Sequence, residues 1–386
     1  MEALAEELMS QKFDNQEDDP GVEPEDMSSL VEIKEPFDPK QIDIESRALI
    51  LDSVIKRLKA NPPEIDLSPD FQRKDNIWNP KKQSQLIESV LIRLPLPAFY
   101  FDASDDNKWL VVDGLQRLST LKKFVIDQTL ILEGLEFLTH LNGKRFDGLP
   151  REFQRRIEES PIVTYLIKPG TPEDVKYNIF KRINTGGEPL TAQEIRHALN
   201  QGTPAKFVAK LASLRAFKRA TNNINPDRML DRDFVNRFVA FYLIPYQQYK
   251  PAPDLDSFLN QGMRRLKDPE INLEAMEYAF SEAMKTAYRI FGVYAFRKQY
   301  HRNERRKPLN KALFEVWSVA LAKLNDEERK ELIEKREMLR EGFFHLMNND
   351  NIGFTTSISQ GTGDKNRVAT RFFAIENLIK NTLNNA

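Results

Sequence analysis

The sequence contains no cysteine, and only four histidines, His140, His197, His301 and His345, are spread over its 386 residues. The first absence excludes disulfide scaffolds, thiolate metal sites and thiol nucleophiles. The second leaves no pair of histidines at a metal-ligand spacing. No apolar run approaches the ~18 residues that a membrane span needs. The opening stretch, MEALAEELMSQKFDNQEDDP, is acidic where a secretion signal is basic and then apolar. No internal repeat is visible. A soluble, cytoplasmic protein without membrane contact is expected.

The formal net charge is −1, but its distribution is uneven. Residues 1–40 hold 13 acidic against 3 basic side chains, which leaves residues 41–386 with 54 basic and 45 acidic ones. The leader also carries the breakers Pro20, Gly21, Pro24 and Pro36 and few aromatics, the composition of a disordered segment. Its bland reading is a solvated leader. The sharper one is an acidic arm that covers a basic groove or recruits a partner.

Hydrophobic periodicity divides the rest. Short β-type runs alternate with helical patterns over residues 41–200, and the pattern is almost wholly helical over 201–386, so the expected class is α+β with an all-α C-terminal domain. In the front part, Ser46 to Leu58 reads as a helix. Asn79-Pro80 supplies an N-cap and an N1 proline for a helix over Lys81 to Leu94. Ala98–Phe101 and Trp109–Val112 read as a hairpin or two adjacent strands, and Thr129–Leu132 and Ile162–Ile167 as two further strand candidates. Thr171-Pro172-Glu173-Asp174 opens a helix that runs to Ile183, and Thr191 with Glu194 forms a capping box. Helices are expected near 204–219, 231–247, 254–267, 271–299, 309–324, 326–347 and 366–383.

Three constellations carry chemistry. Val111-Val112-Asp113-Gly114-Leu115-Gln116-Arg117 is a strand that feeds a helix through a glycine, where free N–H groups make an anion site. Arg117 would grip phosphate bidentately, Gln116 would stand in the same first turn, and Asp113 would hold Mg²⁺ or position a water. Phe180 to Thr191 contains Arg182, Asn184, Thr185, Gly186 and Gly187, a loop whose small residues let backbone N–H groups approach a ligand, with Gln193, Glu194 and Arg196 crowding the next turn. The third, Ser68 to Arg73, is proline-flanked and extended, so Arg73 can reach a neighbouring pocket. The rival reading of the first two is a plain turn and a pair of helix caps.

In order and content these segments resemble the N-terminal domain of the GmrSD type IV restriction endonucleases, a family related to the ParB/sulfiredoxin fold. The matching stretches are Phe71-Gln72-Arg73, Trp78, Leu86 to Pro97, Asp113 to Arg117, and Phe180 to Arg196. The resemblance implies a ParB/sulfiredoxin-like nucleotide-binding domain over 41–200, NTP hydrolysis, and defence against foreign DNA, with a nucleoside triphosphate and Mg²⁺ as cofactors. Asp113, Gln116 and Arg117 would then be catalytic, and Arg73, Gly114, Arg182, Asn184, Thr185, Gly186, Gly187, Glu194 and Arg196 would line the nucleotide. Leu115 departs from the family's paired glutamines. If the missing glutamine orients the attacking water, turnover is slow; if it faces the core, Leu115 is harmless. The relatives' C-terminal His-Asn-His nuclease has no counterpart in these four histidines, so cleavage would need a partner nuclease subunit.

The helical half adds a basic stretch, Tyr294 to Lys307, in which Arg297, Lys298, Arg302, Arg305, Arg306 and Lys307 alternate with aromatics in a manner suited to a phosphate backbone. DNA is therefore an expected partner, and a homo-oligomer is a further one. Thr355 to Asn366 is a Ser/Thr/Gly loop. Two rival functions stand beside the NTPase: a nucleotide-gated DNA-binding module without turnover, and a metal-dependent nuclease built on Asp113 and Glu194.

Overall fold

The computed structural model describes residues 20–25, 42–67, 78–183, 190–250, 254–349 and 351–384. The chain forms two compact units, one of residues 34–201, the other of residues 1–33 with 202–386.

The front unit is built on a five-stranded mixed sheet of β1 (Ile44–Ile50), β2 (Ile65–Asp66), β3 (Phe99–Asp102), β4 (Trp109–Asp113) and β5 (Pro161–Ile167), in the order β1-β5-β3-β4-β2. β3 pairs antiparallel with β4 and parallel with β5, while β1 runs antiparallel to β5 from Ile44↔Ile167 to Ile50↔Pro161. β1 corrects the expected helix over Ser46–Leu58. Helix begins only at Leu51, as α1 (Leu51–Lys59), whose Leu51, Val54, Ile55 and Leu58 are buried. Residues 46–50 are compatible with either state, and the β5 edge decides for strand, because pairing there runs through all seven residues and satisfies the N–H and C=O groups that face β5.

Helices α2 (Pro80–Leu91), α3 (Leu115–Leu121) and α4 (Arg151–Glu158) pack with α1 on one face of the sheet, around Phe99, Phe101, Val111, Leu118, Leu121 and Phe124. On the other face α5 (Glu173–Ile183) and α6 (Ala192–Leu199) cover Val112 and Ile167 through Val175, Phe180 and Ile195. Side-chain alternation explains the division: Val111 enters one cluster and Val112 the other. The start signals at Asn79 and Thr191 are used, whereas the helix expected to be capped by Thr171 begins only at Glu173 and the buried Thr171 hydroxyl makes no hydrogen bond among the described residues. Asn79 accepts from Lys82 N with Pro80 at N1, and Thr191 and Glu194 form the reciprocal capping box.

Thr129–Leu132 is not a strand. Leu130 and Leu132 are buried under a loop whose closure is made by Leu132 and Gly143–Lys144. The neighbouring turn is clamped by Glu88 of α2, which is almost fully buried and accepts the backbone N–H groups of Glu136, Phe137 and Leu138 at 3.0, 2.8 and 2.7 Å.

The second unit is helical: α7 (Thr203–Ser213), α8 (Arg215–Ala220), α9 (Leu230–Leu243), α10 (Leu255–Arg265), α11 (Leu273–Phe291), α12 (Lys311–Ala322), α13 (Asp326–Glu334), α14 (Arg336–Asn348), the single turn α15 (Phe354–Ser357) and α16 (Lys365–Asn384). Two expected helices are broken, at Leu214 and at Lys335. The core is aromatic, with edge-on contacts such as Phe234–Phe314 at 5.1 Å and Phe291–Trp317 at 4.9 Å, the arrangement that ring quadrupoles favour. Gly262 lets α10 lie against α9. A Cβ there would meet the Cα of Ala240 at 2.6 Å, a backbone contact that cannot give way.

The acidic leader needs a partial correction. Pro20–Glu25 lies on the helical unit: Val22 bridges in parallel with Leu309, Glu23 N donates to Leu309 O, and Leu309 N donates to Gly21 O, both at 2.8 Å. Its acids are bound there by cations rather than by water. Residues 1–19 and 26–41 lie outside the described residues.

Candidate functional site

The Asp-Gly turn closes β4 and opens α3. Gly114 has φ +101°, a left-handed conformation that side-chain-bearing residues rarely adopt, and a Cβ at this position would meet the Phe99 ring at 2.5 Å. Both demands fix glycine here. Asp113, just before it, keeps 29% of its side chain exposed and pairs with Arg117 Nη2 at 2.7 Å.

Arg117 itself is buried. Its Nη1 donates to Pro97 O, its Nη2 donates to Ala98 O at 3.1 Å as well as to Asp113, and the guanidinium stacks over Phe99 at 4.4 Å. This guanidinium ties the proline turn before β3 to the turn after β4. Burial pushes the Asp113 carboxyl above the usual carboxylate range and lowers Arg117, and their mutual attraction does not offset the loss of water. Tyr100, opposite Asp113 in the β3–β4 register, is raised by burial and by the neighbouring Tyr165 and Asp113. Gln116 is half-buried on the first turn of α3. Leu115 is partly buried and packs against the front core.

The second motif reaches the same strand from its other face. Phe180 of α5 and Ile195 of α6 pack with Val112, the residue before Asp113. Arg182 is exposed in the last turn of α5. Glu194 and Arg196 are buried: the Glu194 carboxylate accepts Thr191 N at 2.6 Å, and Arg196 Nε donates to Gln193 Oε1 at 2.9 Å. Arg73, Asn184, Thr185, Gly186 and Gly187 lie outside the described residues. Among the described residues no group of three or more Asp, Glu or His side chains is arranged to hold a metal ion. Asp113 would thus be a lone protein carboxylate for Mg²⁺, a usual arrangement where phosphates and waters supply the other ligands.

The basic stretch of the helical unit is not one solvated face. Arg297 is buried and donates to Lys307 O at 2.5 Å. Lys298 donates to Glu23 and Ser359 at 2.5 and 2.8 Å. Arg302 is paired with Glu337 and Glu341, and Lys307 with Glu304 while lying over the Tyr300 ring. Arg305 is exposed and Arg306 half-buried. Sequence reasoning passed over Glu23 and Glu25 as individual residues. Their only signal was their i, i+2 spacing between prolines and glycine.

Among the described residues no helix is long and apolar enough to cross a membrane. No curated protein and no solved structure matches the chain. The family described as GmrSD restriction endonuclease, N-terminal domain, does match, over residues 53–200, ending where the front unit ends. Residues 53–200, which carry the Asp-Gly turn and then the Asn-Thr-Gly-Gly motif, are thus similar to the GmrSD restriction endonuclease N-terminal domain family.

Proposed function

We propose that the protein is a nucleotide-dependent component of a restriction-type defence system against foreign DNA, and that the nucleotide site lies at the end of β4, with Asp113 and Gln116 at the phosphates. The observation that carries this reading is the family match over the unit in which Asp113 keeps partial exposure beside a buried guanidinium. Arg117 acts as a positioning residue. It holds the Asp113 carboxylate in place and spends its donors on Pro97 and Ala98, so the phosphate grip falls to Arg182, exposed at the end of α5, and to Arg73. Mg²⁺ bound at Asp113 would supply charge neutralisation of the phosphates.

The nuclease reading loses one of its two carboxylates, because Glu194 is engaged in the capping box of α6. Contact with DNA falls to the helical unit, where Arg302 and Arg305 are exposed. Cleavage is assigned to a partner nuclease subunit.

The test is phosphate release from ATP, GTP, CTP and UTP with Mg²⁺, with and without DNA, on the wild type and Asp113→Asn. Release that the substitution abolishes supports an NTPase and identifies its base. Nucleotide binding without release, seen by calorimetry, makes the domain a nucleotide-gated module. Absence of binding overturns the assignment.

A further inference from the structure

The helical unit contains a largely buried cluster of unusual charge. Arg237 of α9 is buried and bonded to Asp233 at 3.4 Å and to Glu315 of α12 at 2.5 Å. Arg371 of α16, fully buried, holds the other oxygen of Glu315 at 2.6 Å. Lys311, at the start of α12, pairs with Asp233 at 2.9 Å, and Lys298 stands at the rim with Ser359. These helices and their loops contribute four cations, Arg237, Lys298, Lys311 and Arg371, against two anions, Asp233 and Glu315. The excess of two positive charges lies in a site from which water is largely excluded, where an uncompensated charge is costly.

The compensation comes from Glu23 and Glu25, which reach the cluster from far away in sequence. Glu23 accepts from Lys298 Nζ at 2.5 Å and from Asn310 Nδ2 at 3.0 Å. Glu25 accepts from Arg237 Nη2 at 2.7 Å, from Lys311 Nζ at 3.1 Å and from Thr362 Oγ1 at 3.3 Å. Each carboxylate therefore has its own subsite of one or two cations and one neutral donor. Two residues apart on an extended segment, the two carboxylates emanate from points about 6.6 Å apart. Forked Arg, Lys, Asn and Thr donors converging on oxygen anions are the set that grips phosphate oxygens.

We infer that this cluster of donors is a phosphate-binding site closed in cis by the chain's own acidic arm, with Glu23 and Glu25 standing where the oxygens of a phosphate-bearing ligand go. The two negative charges of the arm equal either two neighbouring phosphodiesters or one phosphate monoester. Ligand and arm compete for the same donors, so the site opens only when the Gly21–Glu25 segment lifts from Leu309. This inference does not depend on the nucleotide assignment at Asp113.

The full chain carrying Glu23→Gln and Glu25→Gln together keeps the shape of the arm and removes its charge. Its affinity for phosphate is expected to exceed that of the wild type by about tenfold, and a further Lys298→Gln and Lys311→Gln to abolish the gain. Two probes separate the sources: inorganic phosphate, and a short single-stranded oligonucleotide without a terminal phosphate. A gain with inorganic phosphate identifies a monoester site, and a gain with the oligonucleotide alone identifies a backbone site. If the double variant melts without cooperativity, hydrogen exchange on the wild type decides. Either probe should then speed exchange at Glu23 N–H and Leu309 N–H, the two that bond the arm in place. Equal affinity of variant and wild type for both probes, or unchanged exchange at those two amides, makes the arm a fixed structural strand and overturns the inference.

Discussion

Arg117 reaches back to carbonyls 20 and 19 residues earlier in the chain and so connects two turns, and its loss should register in stability before it registers in binding. Arg117→Ala leaves a part-buried carboxylate and two carbonyls without their donor. A loss of about 3 kcal/mol is expected by denaturant titration, and an unchanged midpoint would return Arg117 to the role of a phosphate ligand. Gly114→Ala should cost about 1–3 kcal/mol, from a left-handed backbone and the encroached Phe99 ring together. The legibility of these residues in sequence differed with distance. The Asp-Gly turn, the Asn79 cap and the Thr191–Glu194 box were readable because each is closed within four residues. The partners of Arg117 were not, since nothing in the local pattern says which carbonyls a guanidinium will find once the strands have paired.

Among the elements, the antiparallel pair β3–β4 and the helices of the second unit followed from periodicity, whereas β1 did not, because an edge strand with mostly exposed residues has no alternation to read. The turn at Glu136–Leu138 was equally hidden. It is set by one carboxylate from a helix some fifty residues earlier. Burial alone would raise the Glu88 carboxyl, but three backbone N–H bonds hold it below the usual carboxylate range. A lowered folded pKa means that its stabilisation is present above the ordinary carboxylate pKa and is lost as pH falls through the lower folded value. Glu88→Gln keeps one acceptor oxygen of the two. It should speed hydrogen exchange at Glu136, Phe137 and Leu138 at neutral pH, with little change in α2 itself; protection that stays the same in the variant would show the turn to be held by its own backbone.

At the scale of the whole molecule, the charge balance of the helical unit depends on the arm. Burial would raise Glu25, and Arg237 and Lys311 pull it below the usual range against the opposing charge of Asp233. Its contribution is thus complete at neutral pH and is lost below about pH 4. The melting temperature of Glu25→Gln should fall short of the wild type at pH 7, and the gap should close as the buffer is acidified through that range. A gap that stays constant with pH would mean that shape rather than charge holds the arm. The sequence exposed the excess of acid in residues 1–40 but not its destination, because charge composition carries no information about which distant cations a segment meets. Glu25 and Arg237 are 212 residues apart. A chain made from its N-terminus onward therefore releases the acidic arm first and must complete the entire sheet-bearing unit before the helices that receive it exist. The front unit is an insertion within the helical one, and a cut at the apparent domain boundary near residue 201 would separate the helices from the carboxylates that neutralise their cations.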